Sequence, residues 1–424
     1  MITPAYSPTA TERVLPRLAL DFTTASLDSR VTVTRAANTA TRINSSGAVE
    51  VVNANLPRFD FDPSTLVCKG LLIEEARTNS LTNNTMVGTV AGSPGTAPTG
   101  WFPTSTGGVF TRTIVGVGVE NGIAYIDIRY QASGSGNASV QPIGGTTVAA
   151  SNGQTWTYSS YVKLVGGTLT NVTVNDTLGE NSAAGAFLAA GDSANYVPTT
   201  ASLISQRRAY TRTNTNASTA YVYSRTRIAF SGAGDVTLRF GLPQLELGAF
   251  ATSVVQTSTA AVTRNADVVT MTGTNFSSWF NASEGAFNLW ANVYEDASRT
   301  MLELSKTGSG YAELFVMARE ASLDRWQTEA VAGGATQSVL NPSPNTFTIN
   351  ANHKCSFAYK SASYAAAADG TTVATSTGSV PIGLDRLSIG HDLVGGGNFM
   401  NGYVQKLLYW PQRLINAEVQ AFSK

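Results

Sequence analysis

The chain has 424 residues, with 28 lysines and arginines against 28 aspartates and glutamates and only 13% charged residues. That length allows about three domains, each able to bury its own core; the charge balance excludes the basic excess of a nucleic-acid-binding protein and any like-charged tail. No run approaches the ~18 apolar residues of a membrane span, so no membrane partner is expected, and the opening MITPAYSPTA lacks the basic and apolar regions of a signal peptide.

Thr, Ser, Ala, Gly and Asn dominate, which suits strands joined by many turns. In the first region, residues 1–85, Pro4, Pro8 and Pro16 keep the opening extended. Residues 30–35 (RVTVTR) alternate as a half-buried strand, 44–47 (NSSG) read as a turn, and 49–52 (VEVV) as a second strand, so the two are expected to form a hairpin. Leu71, Leu72 and Ile73 form a third, apolar strand.

The run 57–79, PRFDFDPSTLVCKGLLIEEARTN, joins the aromatic-acidic cluster Phe59, Asp60, Phe61 and Asp62 to that strand and then to Glu74, Glu75, Arg77 and Asn79. With LDFT at 20–23, SLD at 26–28, VTRA at 33–36, TAT at 39–41 and SSG at 45–47, it resembles the surface proteins of tailed phages, the head-spike, head-fibre and tail-fibre group, over about residues 18–80. The resemblance implies a virion role, with 1–85 as an attachment region and those eight residues as its motif. It also implies capsid or tail proteins as partners, a homotrimer, and a location on the particle surface after synthesis in the bacterial cytoplasm.

A Gly/Pro/Thr-rich break at 88–100 opens the second region, 86–262. Its short strands are evenly spaced: 124–130, 155–163 with Trp156, Tyr158, Ser160 and Val162 on one face, and 235–240 with Val236, Leu238 and Phe240 inside. Such spacing argues for a β-sandwich. The text at 156–163 and the ending QLELG at 244–248 resemble jelly-roll carbohydrate-binding modules. A Ser/Thr/Val/Ala stretch at 253–264 reads as a linker.

In the third region, 263–424, residues 287–294 alternate and Asp369-Gly370 marks a hairpin. The order ADG at 368–370, LSIG at 387–390 and the strand 402–409 resembles the concanavalin-like, laminin-G-type sandwich. Asn416 is placed to cap a short final helix with Val419 and Phe422 on one face. The expected fold is therefore all-β: an attachment region followed by two β-sandwich (jelly-roll) domains. No short internal repeat favours a propeller or solenoid.

Catalytic chemistry is sparse. His353 and His391 are the only histidines, and there is no G-x-S-x-G elbow. Cys68 and Cys355 read as buried thiols, and His353 with Cys355 alone makes a poor zinc site. Asp60 with Asp62, and Glu74 with Glu75, are the carboxylate pairs to weigh for glycosidic cleavage, against packing roles; Glu75 and Arg77 share a strand face and read as an ion pair. No metal, no cofactor and no catalytic residue is assigned. For sugar contacts the candidates are Trp101, Tyr161 and Trp326, read as outward-facing rings, and His391 at a loop rim; for each the competing assignment is packing. The leading function is non-enzymatic binding of host surface polysaccharide. A purely structural capsid or tail decoration and a polysaccharide depolymerase are the alternatives.

Overall fold

The computed structural model describes residues 15–107, 110–343, 346–392 and 397–424; Pro4, Pro8 and the start of the expected attachment region lie outside them. The fold is all-β, with several antiparallel sheets and only short helices. The chain divides into two compact units, one of residues 33–267 and one built from both ends, 1–32 with 268–424. The expected boundaries after 85 and after 262 do not follow this division. Strand Leu18–Asp21 pairs with Gly402–Trp410, nearly 400 residues away, and so belongs to the C-terminal sandwich.

In the 33–267 unit two sheets face each other. One runs Arg207–Thr213, Thr155–Gly167, Gly234–Leu247, Ile123–Ala132, Phe110–Glu120. The other runs Phe187–Asp192, Val172–Asn181, Tyr221–Phe230, Gly136–Val140, Thr104–Thr106. Alternation dictates the core between them: Ile126, Ile128, Val162, Val236, Leu238 and Phe240 from the first meet Val140, Val174, Ile228 and Phe230 from the second. The predicted inward faces of 155–163 and 235–240 are the observed ones. The NSSG turn also forms: the Asn44 side-chain oxygen accepts from the Ser46 and Ala48 amides, and Gly47 takes φ 76°. Its hairpin, however, pairs Val49–Val52 with Ala40–Ile43 and not with residues 30–35.

The 57–79 motif turns inward in this unit. Phe59, Asp60, Glu74, Arg77 and Asn79 are all buried, so their side chains form no docking surface. Arg58 reaches Glu74 at 2.7 Å and also pairs with Asp267; Arg35 holds Asp267 at 2.8 Å; and Arg264 pairs with Glu74. All five side chains are at most 2% exposed. Ser253 donates its amide (2.8 Å) and hydroxyl (2.6 Å) to Glu74. Glu246, also buried, accepts from the Thr252 amide and hydroxyl, so three guanidiniums share the two carboxylates of Glu74 and Asp267. Asn79 accepts from the Leu81 and Leu245 amides and donates to Val255 O. Arg77 pairs with Glu75 at 2.6 Å, as the strand spacing predicts, and crosses Gly248, where φ is 141° and a Cβ would collide with the guanidinium. Phe61 and Asp62 are half-buried, and Asp62 caps the Ser64 and Thr65 amides.

The expected linker at 253–264 is thus part of this unit's interior: Val254, Val255, Thr257 and Arg264 are buried. Its Ser/Thr/Val composition suits a linker, but its polar groups are spent on the motif's carboxylate and amide. Residues 88–100 do form a largely exposed loop, pinned by a Val90–Thr96 bridge.

The terminal unit is a second sandwich. One sheet runs Ala374–Ser376, Tyr364–Ala368, His353–Lys360, Glu284–Val293, Gly402–Trp410, with Leu18–Asp21 on the last strand. The other runs Val268–Thr272, Arg386–Ile389, Arg299–Ser305, Leu314–Glu320, Arg325–Ala332, Ala335–Leu340. Phe287, Phe315, Phe357, Tyr359, Tyr364 and Tyr409 pack as a ring cluster in its core. The Asp369-Gly370 turn forms between paired strands, both residues at positive φ. The last helix, Asn416–Phe422, is capped one residue earlier than expected: the Glu418 carboxylate accepts from the Ile415 amide, while Val419 is buried and Phe422 packs on Trp410. Both cysteines are buried thiols.

Burial works to raise the Glu74 carboxyl, but Arg264 and Arg58 carry it down to about 2 from 4.5. A depressed carboxylate stabilises the fold above its unfolded value and loses that contribution as pH falls towards its folded value. Glu74→Gln is therefore expected to cost about 3–5 kcal/mol in urea unfolding at pH 7, the cost of breaking a buried pair. Stability of the parent should drop between pH 4.5 and about 2, and this drop should be shallower in the variant.

Candidate functional site

None of the four expected sugar-contacting side chains faces solvent. Trp101 is 6% exposed, with its indole N–H donating to Asn83 O at 2.7 Å. Tyr161, expected on a polar face, is 3% exposed because its sheet is covered on that side too, by Val49, Leu203, Leu242 and Val254. Trp326, expected on a turn, lies in the strand that follows it: the turn ends at Asp324 (φ 48°), the strand begins at Arg325, and its alternation directs the indole inward against Phe347. His391 is 1% exposed; its Nε2 accepts from the Val269 amide at 3.0 Å and its Nδ1 lies 3.1 Å from Asp392 O.

The carboxylates weighed for cleavage are each engaged elsewhere. Asp60 holds Lys69 (3.1 Å) and the Ile43 amide (2.6 Å), while Asp62 lies beyond the end of strand Phe59–Phe61 and accepts from the Ser64 and Thr65 amides. Among the described residues no group of three or more His, Cys, Asp or Glu side chains is placed to hold a metal. His353 is clamped between Asp369 (2.7 Å) and Thr348 O (2.8 Å). Burial disfavours its imidazolium, yet these two acceptors hold its pKa above the usual value.

Two outward sheet faces carry the exposed polar and aromatic chemistry. In the terminal unit Phe287, Leu289, Ala291 and Val293 point inward, which turns Trp290 and Asn292 out, while Asn288 on the same side is covered, its amide donating to Phe422 O at 2.9 Å. The other five tryptophans are buried; Trp290 is half-buried. Its neighbours across the sheet are Lys354 and Lys406, whose ammonium groups lie 4.2 Å and 4.9 Å from the ring centroid. Lys406 also pairs with Asp21 at 2.8 Å, and Lys354 donates to Lys424 O. The indole N–H donates to Asn288 (2.7 Å), and Asn292 donates to Asn352 (3.1 Å) while its own Oδ1 has no partner. Sequence reasoning passed over Trp290 although the alternation of 287–294 was recognised; extending that alternation to the even positions would have found it.

In the 33–267 unit the outward face of Val172–Asn181 and Tyr221–Phe230 pairs Asn175 with Arg227, Thr177 with Arg225 and Asn181 with Tyr221. Arg227 is held by Asn137 (3.0 Å) and Asp192 (3.1 Å). A surface recess of about 450 Å³ at one end is lined by Asn137, Asn171, Thr173 and Arg227.

No protein-family model matches the chain, and no curated protein matches it. Among solved structures it is similar to the CBM40 of the Ruminococcus gnavus IT-sialidase bound to α2,6-sialyllactose, at 12% identity and TM-score 0.32 over 35% of this chain and 88% of that one. It is also similar to the SAP-like pentraxin of Limulus polyphemus, at 12% identity and TM-score 0.28 over 34% of this chain and 70% of that one. A third is the sialidase of Trypanosoma rangeli, at 12% identity and TM-score 0.28 over 92% of this chain and 76% of that one. At these scores the likenesses carry no argument about function.

One acid inside the 33–267 sandwich has an unusual state. Asp176 faces the core, accepting from Thr226 Oγ1 at 2.8 Å, and burial raises its carboxyl to about 7 from 3.8. A carboxyl raised on folding costs stability once ionised: the fold weakens as pH rises from about 4 to 7 and then levels off. Asp176→Asn should therefore stabilise the protein by roughly 2–4 kcal/mol at pH 8 and by little at pH 4, read from denaturant midpoints at the two pH values.

Proposed function

We propose that this protein binds a surface glycan without cleaving it, through the open face around Trp290, as a component of a phage particle. The observation that carries the binding is Trp290 itself, the one tryptophan left partly exposed, set among amides and ammonium groups. An indole face takes the apolar C–H side of a sugar ring, while the two lysines supply donors for hydroxyl groups. Displacing an ammonium from the ring costs little, because an exposed cation–π contact is worth only ~0.5–1 kcal/mol and Lys406 keeps Asp21 as a partner.

The phage origin, the surface location, the homotrimer and the capsid or tail partners rest on the resemblance of residues 18–80 to phage spike and fibre proteins. The absence of enzymatic activity is part of the same proposal: the histidines and the motif carboxylates already have structural partners.

A bacterial-glycan array probed with the full chain is the test. Specific binding is expected, and Trp290→Ala should weaken it at least about tenfold, equivalent to ~1.4 kcal/mol. Binding indifferent to that change would remove Trp290 from the site. No binding at all would favour a decoration protein. Progressive shortening of a bound polysaccharide would establish a depolymerase.

A further inference from the structure

A second outward face, in the 33–267 unit, carries an arginine with nothing to hold. Along Tyr221–Phe230 the even positions Val222, Ser224, Thr226, Ile228 and Phe230 are buried, so Arg225 projects from the opposite side with Tyr221, Tyr223 and Arg227. Several arginines in the protein have a buried Nε without a partner. In several of these another guanidinium N–H is engaged, as with Arg207 on Ser159, Arg212 on Glu180 and Arg112 on Pro103 O. Arg225 makes no ion pair and no side-chain hydrogen bond among the described residues, and its Nε is closed to solvent.

The closed Nε is out of a ligand's reach, but Arg225 as a whole is half-buried and its terminal nitrogens are not closed off, so they present donors for which the described residues supply no acceptor, and the position favours a ligand that supplies one. The neighbouring acid does not: Asp192 is taken by Arg227 and by the Thr177 hydroxyl at 2.6 Å. Phe187, paired with Asn181 at the far end of the same face, is 65% exposed and offers a ring platform. The Arg225 row and the Phe187–Tyr221 row are four residues apart, about 13 Å along a strand.

We propose that this face is a separate binding site for an acidic saccharide, in which Arg225 takes the carboxylate of a uronic or similar acid sugar and Phe187 stacks against a ring further along the chain. A planar guanidinium donates to a carboxylate through two parallel N–H···O bonds, and the Arg227–Asp192 pair beside it is charge-neutral. A neutral sugar would leave the Arg225 donors on an uncharged oxygen and bind more weakly.

Affinity electrophoresis of the full chain in gels containing polygalacturonate or its methyl ester tests this, since the two polymers differ in charge and not in backbone. Retardation is expected in polygalacturonate, at least about tenfold stronger than in the ester and weakened by added salt. Arg225→Gln should lose most of it, Arg225→Lys should keep part, and Phe187→Ala should weaken it. Because Arg225 has no partner to lose among the described residues, and its closed Nε is unsatisfied, Arg225→Gln should melt no lower than the parent. No retardation of the parent, equal retardation in the ester, or unchanged retardation of Arg225→Gln would each overturn the proposal. The comparison is between Arg225→Gln and the parent on one polymer, so it stands whether or not Trp290 binds sugar.

Discussion

The 33–267 unit depends on one buried electrostatic knot. Glu74 and Asp267 sit between Arg35, Arg58 and Arg264, and the two acids are also joined through their backbones, with Glu74 N donating to the Asp267 carboxylate and Asp267 N to Glu74 O. Ions this deeply buried are tolerable only when each has opposite charges and hydrogen bonds around it. That requirement brings residues 35, 58 and 74 to residues 253–267, so the two ends of the unit are closed on each other by charge and not only by apolar packing. Asn79 and Arg77 extend the same closure to Leu245, Leu247 and Val255.

This changes what the 57–79 run means. A charged, aromatic segment near a chain end invites an interfacial reading, and the phage resemblance encourages it. In the fold the segment is interior apparatus, and its polar atoms are consumed by the protein's own backbone and side chains. The surfaces left for ligands are the outward faces of the two sandwiches, where strand alternation exposes Trp290 with its two lysines in one unit and Arg225 with Phe187 in the other.

A strand's outward side can be open or covered, and the two cases differ here for physical reasons. Tyr161 is closed in because the 33–60 hairpin region and residues 242–255 pack over its sheet. Trp290 stays partly open because the C-terminal helix covers only the neighbouring alanine-lined part of its sheet, around Ala286, Ala358, Ala365 and Ala367. Small alanines let that helix approach closely; the larger Trp290 and the two lysines stand beyond it.

The sequence by itself determined what depends on near neighbours: the all-β class and inward faces from period-two alternation, the NSSG and Asp-Gly turns from residues that accept positive φ, and the Glu75–Arg77 pair from two-residue spacing. Tertiary structure alone decided which strands pair and which second faces are covered. It placed Leu18–Asp21 in the C-terminal sandwich, turned the Ser/Thr stretch at 253–264 from a linker into a wall of the ionic knot, and buried Trp101, Tyr161, Trp326 and His391 while leaving Trp290 and Arg225 outside. The physical reason is range. Alternation reports that a strand has two faces, but what lies against each face, and which distant carboxylate answers a given arginine, is set by segments far apart in sequence, 232 residues for Arg35 and Asp267 and nearly 400 for Leu18–Asp21 and its partner strand, whose pairing no local pattern encodes.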